Sequence, residues 1–166
     1  MARRTGELES RAKDRRDVDG RPKKDSVALF GAVMEGRSRA DFEERAQVYG
    51  WGEFMQGVCG EKLAFLRENC TFDGTSDTAR MPLGKSAVYR LLRLLEADGA
   101  SVQLARFAYT LARMDPGPKS PAKEAYARIR TQLYEWYRDI EKRRQLSTAL
   151  QLIIYSIREK GERSNG

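Results

Sequence analysis

Between residues 85 and 144 the chain carries cations and tyrosines at helical spacing. Lys85, Tyr89 and Arg93 recur every four residues with Arg90 beside them, so on a helix they share one exposed face. Arg106 and Arg113 follow two turns apart, with Tyr109 and Thr110 between them. Lys142, Arg143 and Arg144 crowd a turn before the last helix, where cations oppose the macrodipole and therefore call for an anionic ligand or partner. Taken singly, each of these reads most simply as a solvated charge. Together, Lys85, Tyr89, Arg90, Arg93, Arg106, Arg113, Arg143 and Arg144 form a candidate nucleic-acid-binding set: Lys and Arg track phosphates, and tyrosine rings stack on bases. Arg158 and Lys160 are left out, because a helix C-terminus already accounts for them.

Catalytic chemistry finds little support. The 166 residues contain no histidine, which removes the usual general base near neutral pH and the Ser-His and Cys-His nucleophile pairs. The two cysteines, Cys59 and Cys70, lack CxxC spacing and have no histidine to complete a metal site, so they read as reduced, half-buried thiols. Gly84-Lys85-Ser86 imitates the end of a phosphate-binding loop. The glycine that should open that loop is Ala79, Pro82 intervenes, and no strand precedes it. The expectation is a protein without enzymatic activity, cofactor or metal.

The net charge of +7 is unevenly spread. Residues 1–25 carry nine Lys/Arg against six Asp/Glu, residues 26–79 five against nine, and residues 80–166 seventeen against nine. A basic C-terminal half joined to an acidic segment suits binding of a polyanion on one side and of a basic neighbour, or another copy of the chain, on the other. The longest apolar runs fall far short of the ~18–20 residues of a membrane span, and no apolar core follows the basic N-terminus. A cytoplasmic protein with no membrane partner is expected.

These cations need helices to position them. Residues 1–25 offer only Leu8 and Val18 as sizeable apolar side chains and read as a disordered basic tail. Residues 26–166 read as one all-α domain, a bundle of five or six helices with no internal repeat. The first helix begins at Ser26 and places Val27, Phe30, Val33 and Met34 on one side. The second follows Ser38 and carries Phe42, Ala46 and Tyr49. The third covers about residues 52–69, burying Phe54, Val58, Phe65 and Leu66, with Gly57 and Gly60 as weak points. A turn-rich loop spans residues 71–82. Residues 84–97 turn Val88, Leu91, Leu92 and Leu95 inward, and residues 100–114 do the same with Leu104, Phe107, Ala108 and Leu111. Pro116, Gly117, Pro118 and Pro121 force a break. Helices over 120–141 and 145–159 close the bundle through Tyr126, Ile129, Leu133, Trp136, Tyr137 and Ile140, then Leu146, Leu150, Ile153, Ile154 and Ile157.

Two resemblances bear on function. The segment from Ser86 to Gly99 resembles the recognition helix of a winged helix-turn-helix protein, but residues 101–109 read as another helix where that family has a β-hairpin wing. The last 85 or so residues resemble the small helical subunit of type III CRISPR effector complexes of the Csm and Cmr kinds. Its opening Thr/Ser-polar-apolar-Arg pattern is comparable to Gly84 through Arg90, and its basic-x-Ala-Tyr-x-x-Gly-Arg stretch to Arg106 through Arg113, with Ala112 for the glycine. An apolar-Ala-Tyr near the family's end is comparable to Leu150 through Tyr155. Upstream, Lys62 through Leu66 is similar to a Leu-Ala-Phe-Leu segment of the Cmr version. This resemblance implies a non-catalytic, RNA-binding subunit of an antiviral ribonucleoprotein. It would contact the guide–target (crRNA–target) duplex or a displaced single strand, bind other effector subunits and self-associate along the complex. It also implies that Glu43, Glu44, Glu53 and Glu61 face a basic neighbour. A helix-turn-helix DNA-binding regulator, and a protein–protein adaptor using Tyr126, Trp136 and Tyr137, stay open as alternatives.

Overall fold

A computed structural model describes residues 2–16, 19–22, 24–30, 47–69, 83–95 and 100–163. Its contacts cluster into two units, Met1–Val58 and Cys59–Gly166. Among the described residues the protein is mostly helical, with one small two-stranded sheet.

The first unit departs most from expectation. In place of a disordered tail, Ala2–Asp14 forms helix α1. Its interleaved charges support it, since Lys13 Nζ lies 2.6 Å from Glu9 Oε1 one turn back, and Arg11 and Lys13 in the last turn complement the dipole. Helix α1 packs on β1 (Ser26–Leu29) and β2 (Gln47–Gly50). The helix expected from Ser26 is therefore a strand, and the end of the one expected to carry Tyr49 is its partner. The strands are antiparallel, with Val27 opposite Tyr49 and Ala28 opposite Val48. A β-branched residue facing an aromatic is a favourable cross-strand pair. Phe30 adopts φ 53°, outside the right-handed helical region, which ends the strand where a helix was expected to continue. The rest of those two expected helices, with Val33, Met34, Phe42 and Ala46, and the loop at 71–82 lie outside the described residues.

The third expected helix is present in three consecutive parts: α2 (Trp51–Glu53), a π-helical stretch (Phe54–Leu63) and α3 (Ala64–Asn69). Both weak helix formers, Gly57 and Gly60, fall in the π-helical part. Val58 and Leu66 are buried, while Phe54 and Phe65 are only half-buried.

In the second unit, α4 (Lys85–Leu95), α5 (Ala100–Arg113), α6 (Lys123–Arg138) and α7 (Ile140–Arg163) form a closed ring of neighbours. Each packs on the next, α7 returns to α4, and α3 also packs on α7. The interior is Val88, Leu91, Phe107, Leu111, Tyr126, Ile129, Leu133, Trp136, Tyr137, Leu146, Ala149, Leu150, Ile153 and Ile154. Phe107 and Tyr137 stack with centroids 4.2 Å apart. At the α5–α6 break Gly117 takes φ 88°, a left-handed conformation that glycine adopts without strain. Its N–H donates to Asp115 Oδ1 at 2.9 Å. The last two helices meet five residues earlier than expected. Extended Asp139 (φ −93°, ψ 126°) accepts the Lys142 N–H at 2.9 Å and so caps α7. Ile140 consequently opens α7 and is 71% exposed rather than buried.

Candidate nucleic-acid interface

Helix α4 starts at Gly84, whose carbonyl accepts the N–H groups of Ala87 and Val88 at 3.0 and 3.3 Å. The Gly84-Lys85-Ser86 sequence is thus a helix start. Burial of Val88 and Leu91 fixes the rotation of the helix, leaving Lys85, Arg90 and Arg93 exposed and Tyr89 half-buried. On α5, buried Phe107 and Leu111 likewise turn Arg106, Tyr109 and Arg113 to solvent. Arg113 Nη1 donates to the Tyr109 hydroxyl at 3.4 Å, and its guanidinium carbon lies 5.9 Å from the ring centroid.

These neighbouring helices share a compositional feature. Neither Lys85–Leu95 nor Ala100–Arg113 contains an Asp or Glu, and among the described residues no ion pair engages Lys85, Arg90, Arg93, Arg106 or Arg113. The exposed face of α6 is different. There Glu124, Arg128, Thr131, Glu135 and Arg138 mix the two signs, as an ordinary solvated face does. Arg128 and Arg138 are exposed cations that the sequence reading passed over, and the nearby glutamates at helical spacing explain why they add little net field.

Arg143 and Arg144 are engaged within the bundle. The Arg143 guanidinium lies 5.3 Å from the Tyr137 ring centroid, and Arg144 Nη2 is 2.7 Å from Glu141 Oε2. The acidic residues expected to face a neighbour are similarly committed. Glu53 Oε2 accepts from Arg15 Nη2 at 3.0 Å and from the Gly50 N–H at 3.3 Å. Glu61 accepts from Lys62 Nζ at 2.5 Å and from Trp136 Nε1 at 3.0 Å. Glu43 and Glu44 lie outside the described residues.

Lys62 is buried, and its ammonium also sits 5.2 Å from the Trp136 ring centroid. Phe65 meets that ring edge-on at 5.0 Å. Burial pushes the Glu61 carboxyl up. The Lys62 hydrogen bond and charge, the Trp136 donor and the Lys142 charge outweigh it and hold the group below the ordinary glutamate value. Tyr126, Trp136 and Tyr137 are all buried, so these three do not form the sticky surface of an adaptor: the helical spacing that suggested it is the spacing of the core. Cys59 is half-buried, and burial raises its thiol pKa against the opposing charge of Arg67; Cys70 lies outside the described residues. Among the described residues there is no group of three His, Cys, Asp or Glu that could hold a metal ion, and no helix long and apolar enough to cross a membrane.

Fold and surface together define a helical bundle with one uniformly basic pair of helices. The chain belongs to the family described as the CRISPR RNA silencing complex Cmr2 subunit, second helical domain, whose model matches residues 73–159. It is also 30% identical over 162 residues to the CRISPR system single-strand-specific deoxyribonuclease Cas10/Csm1 (subtype III-A) of Mycobacterium tuberculosis. That alignment covers 96% of the chain and 16% of the relative, so the chain spans about a sixth of that protein's length. The type III CRISPR relationship read from residues 84–155 is thereby established, and the subunit that the family model describes is Cmr2.

Proposed function

We propose that this chain is a non-catalytic helical component of a cytoplasmic type III CRISPR effector complex and holds nucleic-acid backbone along α4 and α5. The observation that carries the reading is the pairing of two adjacent helices, Lys85–Leu95 and Ala100–Arg113, that contain no carboxylate and carry five exposed cations without an ion pair among the described residues. Such a face concentrates positive potential and releases counterions when phosphates replace them. Lys85, Arg90, Arg93, Arg106 and Arg113 contact phosphates, and Tyr89 lies among them. Arg143 and Arg144 contribute at the periphery, after release from Tyr137 and Glu141. A chain without histidine suits binding better than chemistry. The name of the Mycobacterium tuberculosis relative, a single-strand-specific deoxyribonuclease, supports single-stranded nucleic acid as one ligand. RNA paired in a guide–target duplex is another, and other effector subunits are the protein partners.

The test is filter binding of the purified chain to unrelated single-stranded RNA, single-stranded DNA and duplex DNA across a salt series. Sequence-neutral affinity that falls steeply with salt, and collapses in the triple variant Arg93→Glu, Arg106→Glu, Arg113→Glu, is expected. Wild-type affinity in that variant would overturn the proposal. Preference for one duplex sequence, with single base changes costing ~1–3 kcal/mol each, would favour a DNA-binding regulator instead.

A further inference from the structure

Resting on that reading, we infer that Tyr109, backed by Arg113, is a stacking platform for one unpaired base, so that α5 holds single-stranded nucleic acid by a base as well as by phosphates. Tyr109 is the most exposed tyrosine among the described residues, at 62%. Tyr49, Tyr126 and Tyr137 are buried, Tyr89 and Tyr134 are half-buried, and Tyr155, on α7, is exposed at 57% but is not on the acid-free helices α4 and α5. Its position follows from the packing of α5. Phe107 and Leu111 point inward, which puts Tyr109 on the outward crest one turn before Arg113. Of the outward residues that flank it, Ala105 and Ala112 are small and exposed, and Arg113 is the side chain of its own helix that lies against the ring.

The Arg113 guanidinium restrains the ring, with a centroid distance of 5.9 Å and a 3.4 Å bond from Nη1 to the hydroxyl. A pre-ordered ring loses less rotamer freedom when a base lies on it. The same cation stands ready for the phosphate of the stacked nucleotide, and Arg106, exposed on the same helix, for a neighbouring one. Aromatic stacking needs a base with a free face, which a paired and stacked duplex does not offer. The platform therefore discriminates single strands from duplexes, something the cations alone do not do.

The experiment uses the full chain with oligo-dT and oligo-U strands that each carry one 2-aminopurine, and with a duplex of equal length. Wild type should quench 2-aminopurine fluorescence on binding. Tyr109→Ala should abolish the quench and weaken single-strand binding about five- to tenfold, with duplex binding and thermal melting unchanged. Tyr109→Trp should keep both quench and affinity. Quenching by the DNA strand only, or the RNA strand only, supports the platform and identifies its ligand. Tyr109→Ala that binds and quenches like wild type overturns the platform while leaving the phosphate-tracking reading intact. Equal weakening on duplex and single strand overturns it as well. A wild type that binds none of the three at low salt overturns the underlying reading, and the platform with it.

Discussion

Tyr126 joins α5 to α6 through a single polar contact: its buried hydroxyl donates to the Leu111 carbonyl. Burial, and then the negative charge of Asp115, push the phenol up to about 12 against the opposing influence of Arg130. The folded state therefore favours the neutral phenol. Its contribution to stability is complete below the ordinary tyrosine value near 10 and is lost as pH rises from there through about 12. Tyr126→Phe should cost about 0.5–1.5 kcal/mol at neutral pH and flatten this alkaline loss, as chemical denaturation at pH 7 and pH 11 would reveal. Lys62 and Glu61 test a different asymmetry. Lys62→Met removes a buried ammonium whose desolvation offsets much of its attraction to Glu61, so stability should change little. Glu61→Ala strands that ammonium and the Trp136 N–H, at a cost of about 1–3 kcal/mol, reduced because the Glu61 side chain is 50% exposed and water screens it. Because its folded pKa is lowered, the Glu61 contribution is present above the ordinary glutamate value and disappears as pH falls through the lowered one. Equal melting temperatures for Lys62→Met and Glu61→Ala would refute this account.

Helices α4, α5 and α6 were legible in the sequence because each is long enough for its apolar stripe to repeat over three or more turns. Val88 and Leu91, Phe107 and Leu111, and Tyr126, Ile129, Leu133, Trp136 and Tyr137 are buried as that periodicity implied, while Leu92, Leu95, Leu104 and Ala108, also expected inside, are half-buried. The strands were not legible. Four residues give no room for alternation, and Val27 and Phe30 mimic a helical step of three. Helix α1 was hidden for another reason: part of what orders it is distant in sequence. Arg15, just beyond its end, reaches Glu53, and its guanidinium occupies the space over Gly50, where an added Cβ would lie 2.5 Å from Nη1. Gly50→Ala should push the flexible end of the Arg15 side chain off Glu53 and weaken the docking of α1 on β1 and β2 modestly, by up to about 1 kcal/mol. Tryptic cleavage at Arg15 and Arg16 should then accelerate, with Glu53→Gln behaving similarly. Cleavage at the wild-type rate in Gly50→Ala would mean that the Arg15 contact is not what holds α1.

For the molecule as the polyanion binder proposed above, the sequence conveyed the sign of the charge and most of its location, but not its effective number. Spacing placed Lys85, Arg90, Arg93, Arg106 and Arg113 outward, and they are exposed. It could not reveal that Arg143 rests on Tyr137 and Arg144 on Glu141, because those partners depend on where α7 begins. Nor could net charge distinguish the acid-free surface of α4 and α5 from the mixed surface of α6. The difference has a thermodynamic signature. Single-strand affinity falls with a log–log salt slope of about −0.7 per neutralised phosphate, so the five cations of α4 and α5 together contribute up to about −3.5, and Arg143 and Arg144 add to it only where they leave Tyr137 and Glu141. Removing two of them in Arg106→Ala/Arg113→Ala should reduce the slope by about 1.4. Arg128→Ala/Arg138→Ala, the same change of net charge on α6, should leave the slope nearly untouched. If both pairs shift it equally, the protein attracts nucleic acid through its overall charge, and α4 and α5 are not the binding face.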